Sequence, residues 1–388
     1  MIPSYVWTIV FYSVIILLLI IFRKKFEKQG VIFLYRTKVG VNFINRFAKK
    51  HERSIKFFGL AGIGIAVLGI IAIVILLFHN LYNLITQPSA QSGVSLILPG
   101  VHIPGSPITI PLITGWISLF IVIIVHEACH GIVGKANGLD IKSSGLAFLG
   151  PIAGAFVEPD EKKLLKKDDA VKHSVFAAGP VANIILGVIA FLLIIAVFTP
   201  LTNAITTPVG FSIGNVQDGY PAKEAGITGG MIITEINGVK IVDYEQFKDE
   251  ISTIKPHEQV NITANNTLFT LVTAEHPDNP RKPYFGISNI KNERVLKNKS
   301  QGMKIFFAVF KWIEEVVVLL FILGIGIGMA NLLPLGPIDG GRILEAAASS
   351  IFGIKKGRKI WIKVSWFVLL LLLINILFPL FRWIFLKF

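Results

Sequence analysis

The 388-residue chain reads as a polytopic α-helical membrane protein. About six transmembrane helices, a re-entrant β-hairpin and an inserted α+β domain are expected. Three observations predict this class. The composition is 53% hydrophobic with mean hydropathy +0.67, too apolar for an ordinary soluble domain. Five or six stretches hold the roughly 20 apolar residues that a helix needs to cross the hydrocarbon core. One polar stretch, 205–300, interrupts them with short β-like runs and turn signals such as Asn237-Gly238.

The expected spans are 3–22, 57–85, 112–135, 174–199, 303–330 and 360–386. The first lacks a basic n-region and a small-residue cleavage site, so it is expected to be retained. Between the first two spans, Arg23 to Lys56 carries eleven Lys/Arg. The positive-inside rule makes that segment cytoplasmic and the N-terminus external. Gln87–Pro111 has no Lys or Arg and fits the outside, whereas the 135–173 loop holds seven Lys and returns inside. Lys355, Lys356, Arg358 and Lys359 mark another inside loop. The cell membrane is the expected location, with 205–300 outside. The domains expected are an N-terminal pair with a basic segment (1–85), a core (86–200) and the insert (205–300). A core helix with a break (303–352) and a last helix (353–388) follow.

The formal charge of +14 sits beside apolar spans, so topology explains it and no nucleic-acid partner is expected. Phe26, Phe33, Phe43 and Phe47 are interleaved with the basic residues of 23–56. That pattern predicts an interfacial amphipathic helix or hairpin on anionic lipid. The one cysteine, Cys129, excludes an intrachain disulfide and faces away from the motif described next.

His126-Glu127-Ala128-Cys129-His130 lies at the end of the third span. Spacing of four puts both imidazoles on one helix face, and they make two of the ligands of a tetrahedral zinc. Glu127 can act as general base on a bound water and pass the proton to a leaving amine. Ionisable residues inside a span are costly, so they point to function. The third ligand is sought in Asn331-Leu-Leu-Pro334-Leu-Gly-Pro337-Ile-Asp339-Gly340-Gly341-Arg342. Its prolines and glycines must break the apolar helix, leaving Asp339 at membrane depth. The competing reading pairs Asp339 with Arg342 in a kinked helix. In Ala178-Gly179-Pro180-Val181-Ala182-Asn183, the asparagine either donates to an oxyanion or holds substrate, or it packs helices together. Gly145–Val157 is apolar, too short to span and broken by Gly and Pro. Irregular backbone at membrane depth must be buried in protein or line a wet cavity. A re-entrant β-hairpin is expected, with a surface hairpin on headgroups as the alternative.

His126-Glu127-x-x-His130, the Gly-Pro-x-x-Asn string at 179–183 and Asn331-x-x-Pro334 leading to Asp339-Gly340-Gly341 together resemble the site-2 protease family of intramembrane zinc metalloproteases. The resemblance covers the three core spans; spans one and two lie outside it. It implies Zn2+ held by His126, His130 and Asp339, with Glu127 as catalytic base. It implies that the 145–157 hairpin holds substrate as an added strand. Asn183, Asn331, Gly150 and Gly154 are expected to bind substrate or stabilise the oxyanion. The implied reaction is hydrolysis within a transmembrane helix of a membrane-tethered protein, as the second cut in regulated intramembrane proteolysis. Where family members often have Leu before the Asp-Gly, this chain has Ile338.

The insert has its own resemblance. Tyr220-Pro-Ala-Lys-Glu-Ala-Gly226-Ile227 and Gly229-Gly230-Met-Ile-Ile-Thr-Glu235-Ile236-Asn237-Gly238 look like a PDZ domain of the bacterial protease type. Such a domain takes a peptide or C-terminus on a sheet edge, here expected at Val209–Ile213, or else filters substrates by size. Two rival readings are a prenyl-protein protease with a Glu ligand and a catalytically silent receptor.

Overall fold

A computed structural model describes residues 4–87, 92–102, 108–277 and 279–385, with side chains to 378. The chain opens with α1 (Ser4–Ile21), which ends where Arg23-Lys24-Lys25 form a 3-10 turn. A hairpin follows, β1 (Glu27–Gln29) and β2 (Ile32–Thr37), and then α2 (Val41–Lys50) and α3 (Glu52–Thr86). Next come α4 (Leu112–Ala136), β3 (Ile141–Leu149), β4 (Ile152–Pro159), α5 (Glu161–Leu164) and α6 (Asp169–Leu193). A π turn, Ile194–Phe198, carries α6 into α7 (Thr199–Ile205). The β-rich stretch holds β5 (Thr206–Val216), α8 (Pro221–Glu224), β6 (Ile232–Ile236), β7 (Val239–Lys240) and α9 (Tyr244–Ile251). It continues through β8 (Gln259–Ala264), β9 (Thr267–Val272), β10 (Ala274–His276), β11 (Asn279–Tyr284) and β12 (Ile287–Leu296). Three helices close the chain: α10 (Gln301–Asn331), α11 (Asp339–Phe352) and α12 (Ile354–Phe385).

Five helices are long and apolar enough to cross a membrane, among the described residues. They are α3, α4, α6 with its continuation, α10 and α12. The sixth expected span is α1, which is apolar but has only 18 residues. At 1.5 Å per residue it measures about 27 Å, and the first residue of the expected span lies outside the described residues. The Arg23-Lys24-Lys25 turn is what stops it.

The chain divides into two compact units, one of them Ile195–Phe310 and the other holding the long helices on either side. In the helical unit, a four-stranded sheet runs β1-β2-β3-β4. The basic segment expected as a helix or a hairpin is both. Its β2 pairs antiparallel with β3, from Ile32↔Leu149 to Thr37↔Ser144. Its α2 buries Val41, Ile44 and Ala48 and stacks Phe43 on Phe47 with centroids 5.6 Å apart. Strands β3 and β4 pair from Leu149↔Ile152 to Ile141↔Pro159, with Gly150 at φ +58 in the turn. Hence β3 has neighbours on both sides, and only β4 leaves an edge on that side of the sheet. Close packing of α6 on α10 depends on small residues, as in membrane bundles. A Cβ on Gly324 would meet the Asn183 carbonyl at 2.9 Å, and one on Gly328 would meet that of Pro180 at 2.9 Å.

In the second unit the sheet order is β12-β5-β6-β8-β9, over a core of Phe211, Ile233, Phe247 and Ile262. Asn237 (φ 49) and Gly238 (φ 84) form the tight turn between β6 and β7, as an Asn-Gly pair between short strands predicts. One expectation is corrected. Val209–Ile213 was the expected peptide-binding loop and strand, but it lies within β5, inside the sheet. β12 pairs along β5 from Leu296↔Thr206 to Ile287↔Val216, and β6 pairs on its other side. Alternation marks a strand; it does not say whether the strand is central or at an edge.

Candidate metal centre

Spacing of four on α4 brings the two imidazoles together, with ring centroids 4.7 Å apart. The third group arrives from the far end of the sequence. After α10 ends at Asn331, the chain turns through 332–338 and restarts as α11 at Asp339. The turn folds back on the start of α11 so closely that only glycine fits there. A Cβ on Gly340 would lie 2.3 Å from the Leu332 carbonyl oxygen, and one on Gly341 would lie 2.3 Å from that of Gly336. Asp339 is thereby carried to the histidines. Its Oδ2 stands 3.1 Å from His126 Nε2 and 3.3 Å from His130 Nε2, and the two Nε2 atoms are 3.1 Å apart. Arg342 does not pair with Asp339; it reaches Glu161 at 3.3 Å and donates to the Pro337 carbonyl at 3.1 Å.

These distances test a metal directly. Three ligands bound to zinc at about 2.0–2.1 Å in a tetrahedron stand about 3.3 Å apart. The observed triangle, 3.1 to 3.3 Å, matches that spacing. Two imidazole nitrogens and a carboxylate oxygen also form a zinc donor set. It is the one group of its kind among the described residues. The histidines are held from behind by α6. The Nδ1 atom of His130 lies 2.7 Å from the Val175 carbonyl, and that of His126 lies 3.0 Å from the Asn183 amide. Between them, a Cβ on Gly179 would sit 2.4 Å from His130 Nε2 and 2.7 Å from His126 Nε2. Val175, Gly179 and Asn183 recur every fourth residue, on one face of α6.

Glu127 lines a cavity of about 670 Å³ together with His126, His130 and Asp339. Its Oε2 accepts a hydrogen bond from the Val157 backbone N–H at 3.2 Å, which ties the carboxylate to β4. Asn331 also lines the cavity, as do Phe156, Val157 and Glu158 of β4. Gly150 and Gly154 lie outside that lining. Asn183 is fully buried behind His126 and is likewise absent from the lining. At the far wall Arg36 bonds Glu158, Ser143 and Glu27. Its guanidinium holds the exposed Glu27 carboxyl below the usual carboxylate range.

The model of peptidase family M50 matches residues 114–372, more than half of the chain and the whole metal centre. The chain belongs to the M50, or site-2 protease, family. Membership of M50 makes it a zinc metalloprotease, and its His-His-Asp group is where that zinc fits. It also sets aside the prenyl-protease reading. An uncharacterized protein of Methanocaldococcus jannaschii, MJ0971, is 32% identical over 82% of this chain and 78% of its own length. The probable protease eep of Enterococcus faecalis is 29% identical over 43% of this chain and 48% of its own. The zinc metalloprotease RasP of Shouchella clausii is 24% identical over 45% and 50%. The chain thus spans about half the length of these two protease relatives. Two features of the M50 site escape a reading of side chains alone: the backbone groups of Val157 and Val175, and the missing side chain of Gly179.

Proposed function

We propose that this M50 protease cuts a peptide bond within the transmembrane segment of a membrane-tethered substrate, as the second cut of a two-step release. The observation carrying this is the His126, His130 and Asp339 triangle, built from α4 and the α10–α11 turn of an apolar helical unit. His126, His130 and Asp339 are the zinc ligands in this reading. Zinc held there would supply Lewis acidity to the attacking water and the scissile carbonyl. Glu127 takes the proton of that water and delivers it to the leaving amine. The Val157 N–H keeps the Glu127 carboxylate aimed. Asn331, on the cavity wall, contacts the substrate backbone.

A helix bonds all its amides internally, so the scissile segment must unwind before attack. An unwound segment needs new partners in a place without water. The outer edge of β4 offers them by strand addition; β3, with neighbours on both sides, does not. The β3–β4 hairpin is re-entrant in this reading and reaches membrane depth beside the cavity. Lysine and arginine placement puts the metal centre toward the cytoplasm and the Ile195–Phe310 unit outside. That unit is read as PDZ-like. Its edge strand β12, flanked by α9 through the Tyr244 N–H to Asn292 Oδ1 bond of 2.8 Å, is where a peptide or C-terminus would add.

The test uses purified protein and a membrane-spanning peptide in a bilayer. Cleavage inside the apolar stretch, lost on chelation and restored by zinc, is the expected result. Glu127→Gln should bind zinc and not cut. Cutting by the Gln variant, or cleavage confined to water-exposed flanks, would overturn the proposal.

A further inference from the structure

Binding a metal through Nε2 demands that the other ring nitrogen, Nδ1, carry the proton. The protein must therefore present an acceptor to Nδ1 of each histidine, since such partners fix the tautomer and the ring plane. For His130 the acceptor is the Val175 carbonyl at 2.7 Å, a backbone group that substitution does not remove. For His126 the partner of Nδ1, among the described residues, is the Asn183 side chain. There the amide nitrogen Nδ2 faces Nδ1 at 3.0 Å, and the buried Oδ1 has no hydrogen-bond partner. That orientation is wrong for metal binding: a donor on Nδ1 forces the proton onto Nε2. The two ends of an amide have nearly the same shape. Turned by 180°, Oδ1 accepts from Nδ1–H, the orphaned oxygen is satisfied, and Nε2 keeps its lone pair.

We propose that Asn183 is a positioning residue for His126, its amide oxygen fixing the tautomer that leaves Nε2 open to zinc. The proposal rests on the ligand reading above. It differs from an oxyanion or substrate role, for which Asn183 would have to face the cavity. Asn183 is instead fully buried, and its amide is spent on the far side of the ring. The neighbouring helix fixes it there, because Gly324 of α10 packs against the Asn183 backbone with no room for a Cβ.

The experiment compares full-length protein carrying Asn183→Ala, Asn183→Asp or His126→Ala. Zinc affinity is read by chelator competition, and the ligand field by the visible spectrum of the cobalt-substituted protein. Asn183→Ala should weaken zinc by roughly 10- to 100-fold, the usual cost of losing such a partner, and should shift the cobalt bands. Asn183→Asp keeps an oxygen acceptor and has no donor. It should hold zinc within a few-fold of the parent and restore the parental bands, whereas an oxyanion donor role would leave zinc affinity unchanged in both. An alanine variant at parental affinity, or an aspartate variant as weak as alanine, overturns the positioning role. If His126→Ala itself binds zinc like the parent, the ligand reading has failed; if it loses zinc while Asn183→Ala does not, only the positioning role has failed.

Discussion

The carboxylate of Glu127 accepts a hydrogen bond from the backbone N–H of Val157, 3.2 Å away and 30 residues on. It joins the base on α4 to the one strand of the hairpin with an open edge. Since the Val157 N–H points to Glu127, it takes no part in the ladder to β3.

That relationship gives the first prediction. Val157→Pro removes the N–H without taking a bond from the β3 ladder. A hydrogen bond to a charged group contributes about 1.5–3 kcal/mol, so kcat/KM should fall roughly 10- to 100-fold. Zinc content should stay at the parental level. Loss of zinc together with activity would show that the proline had disturbed more than the base.

Gly179→Ala sets helix propensity against packing at the site. Alanine favours a helix interior over glycine by up to about 1 kcal/mol, yet its Cβ would press on both imidazoles at 2.4–2.7 Å. In the absence of metal the variant should unfold at a lower temperature than the parent, because crowding at this buried position outweighs the propensity gain. Its zinc affinity should fall by more than about a hundredfold, beyond the loss expected for an outer partner.

Asp339→Asn tests the third ligand. The neutral amide keeps the shape and gives up the anionic oxygen that faces both histidines. Zinc affinity should drop by more than about a hundredfold, again beyond an outer-partner effect, while helix content is unchanged. An Asn variant that holds zinc like the parent would remove Asp339 from the ligand set.

The Arg36–Glu27 pair makes the β1–β2 hairpin sensitive to acid. The guanidinium lowers the Glu27 pKa from its ordinary 4.5, so the folded form favours the charged carboxylate. The pairing is fully present above pH 4.5 and is lost as pH falls through the depressed folded value. Amide exchange in Glu27–Thr37, corrected for intrinsic pH dependence, should show protection at pH 6 that is reduced at pH 3. Arg36→Gln should lose that pH dependence.

Much of the metal centre was legible because its signals are local. The four-residue spacing of His126 and His130 is a statement about one helix. Asp339 stood out because a carboxylate in an apolar run interrupted by Pro and Gly needs a reason. Arg342, its rival partner by sequence, is drawn off by Glu161, 181 residues away, which no local pattern reveals. The sheet was harder. Ile32–Thr37 is rich in the residues that strands favour, but its pairing with Ser144–Leu149 is a long-range choice. The same limit misplaced the peptide edge in the second unit, because the strand covering β5 is supplied 80 residues later by β12.

Val175, Gly179 and Asn183 give the metal centre an angular setting. One residue of rotation turns a helix by about 100°, which would take the carbonyl, the gap and the amide away from the two imidazoles in one movement. The centre is therefore keyed to the azimuth of α6, and the Gly324 and Gly328 contacts with α10 act as its detent. Sliding α6 along its axis by one turn would carry Val175 or Asn183 into the gap that Gly179 leaves beside the imidazoles, so sliding fails as twisting does. A partner or lipid that applied torque to this helix would disengage the metal cradle as a whole and leave the ligands themselves untouched.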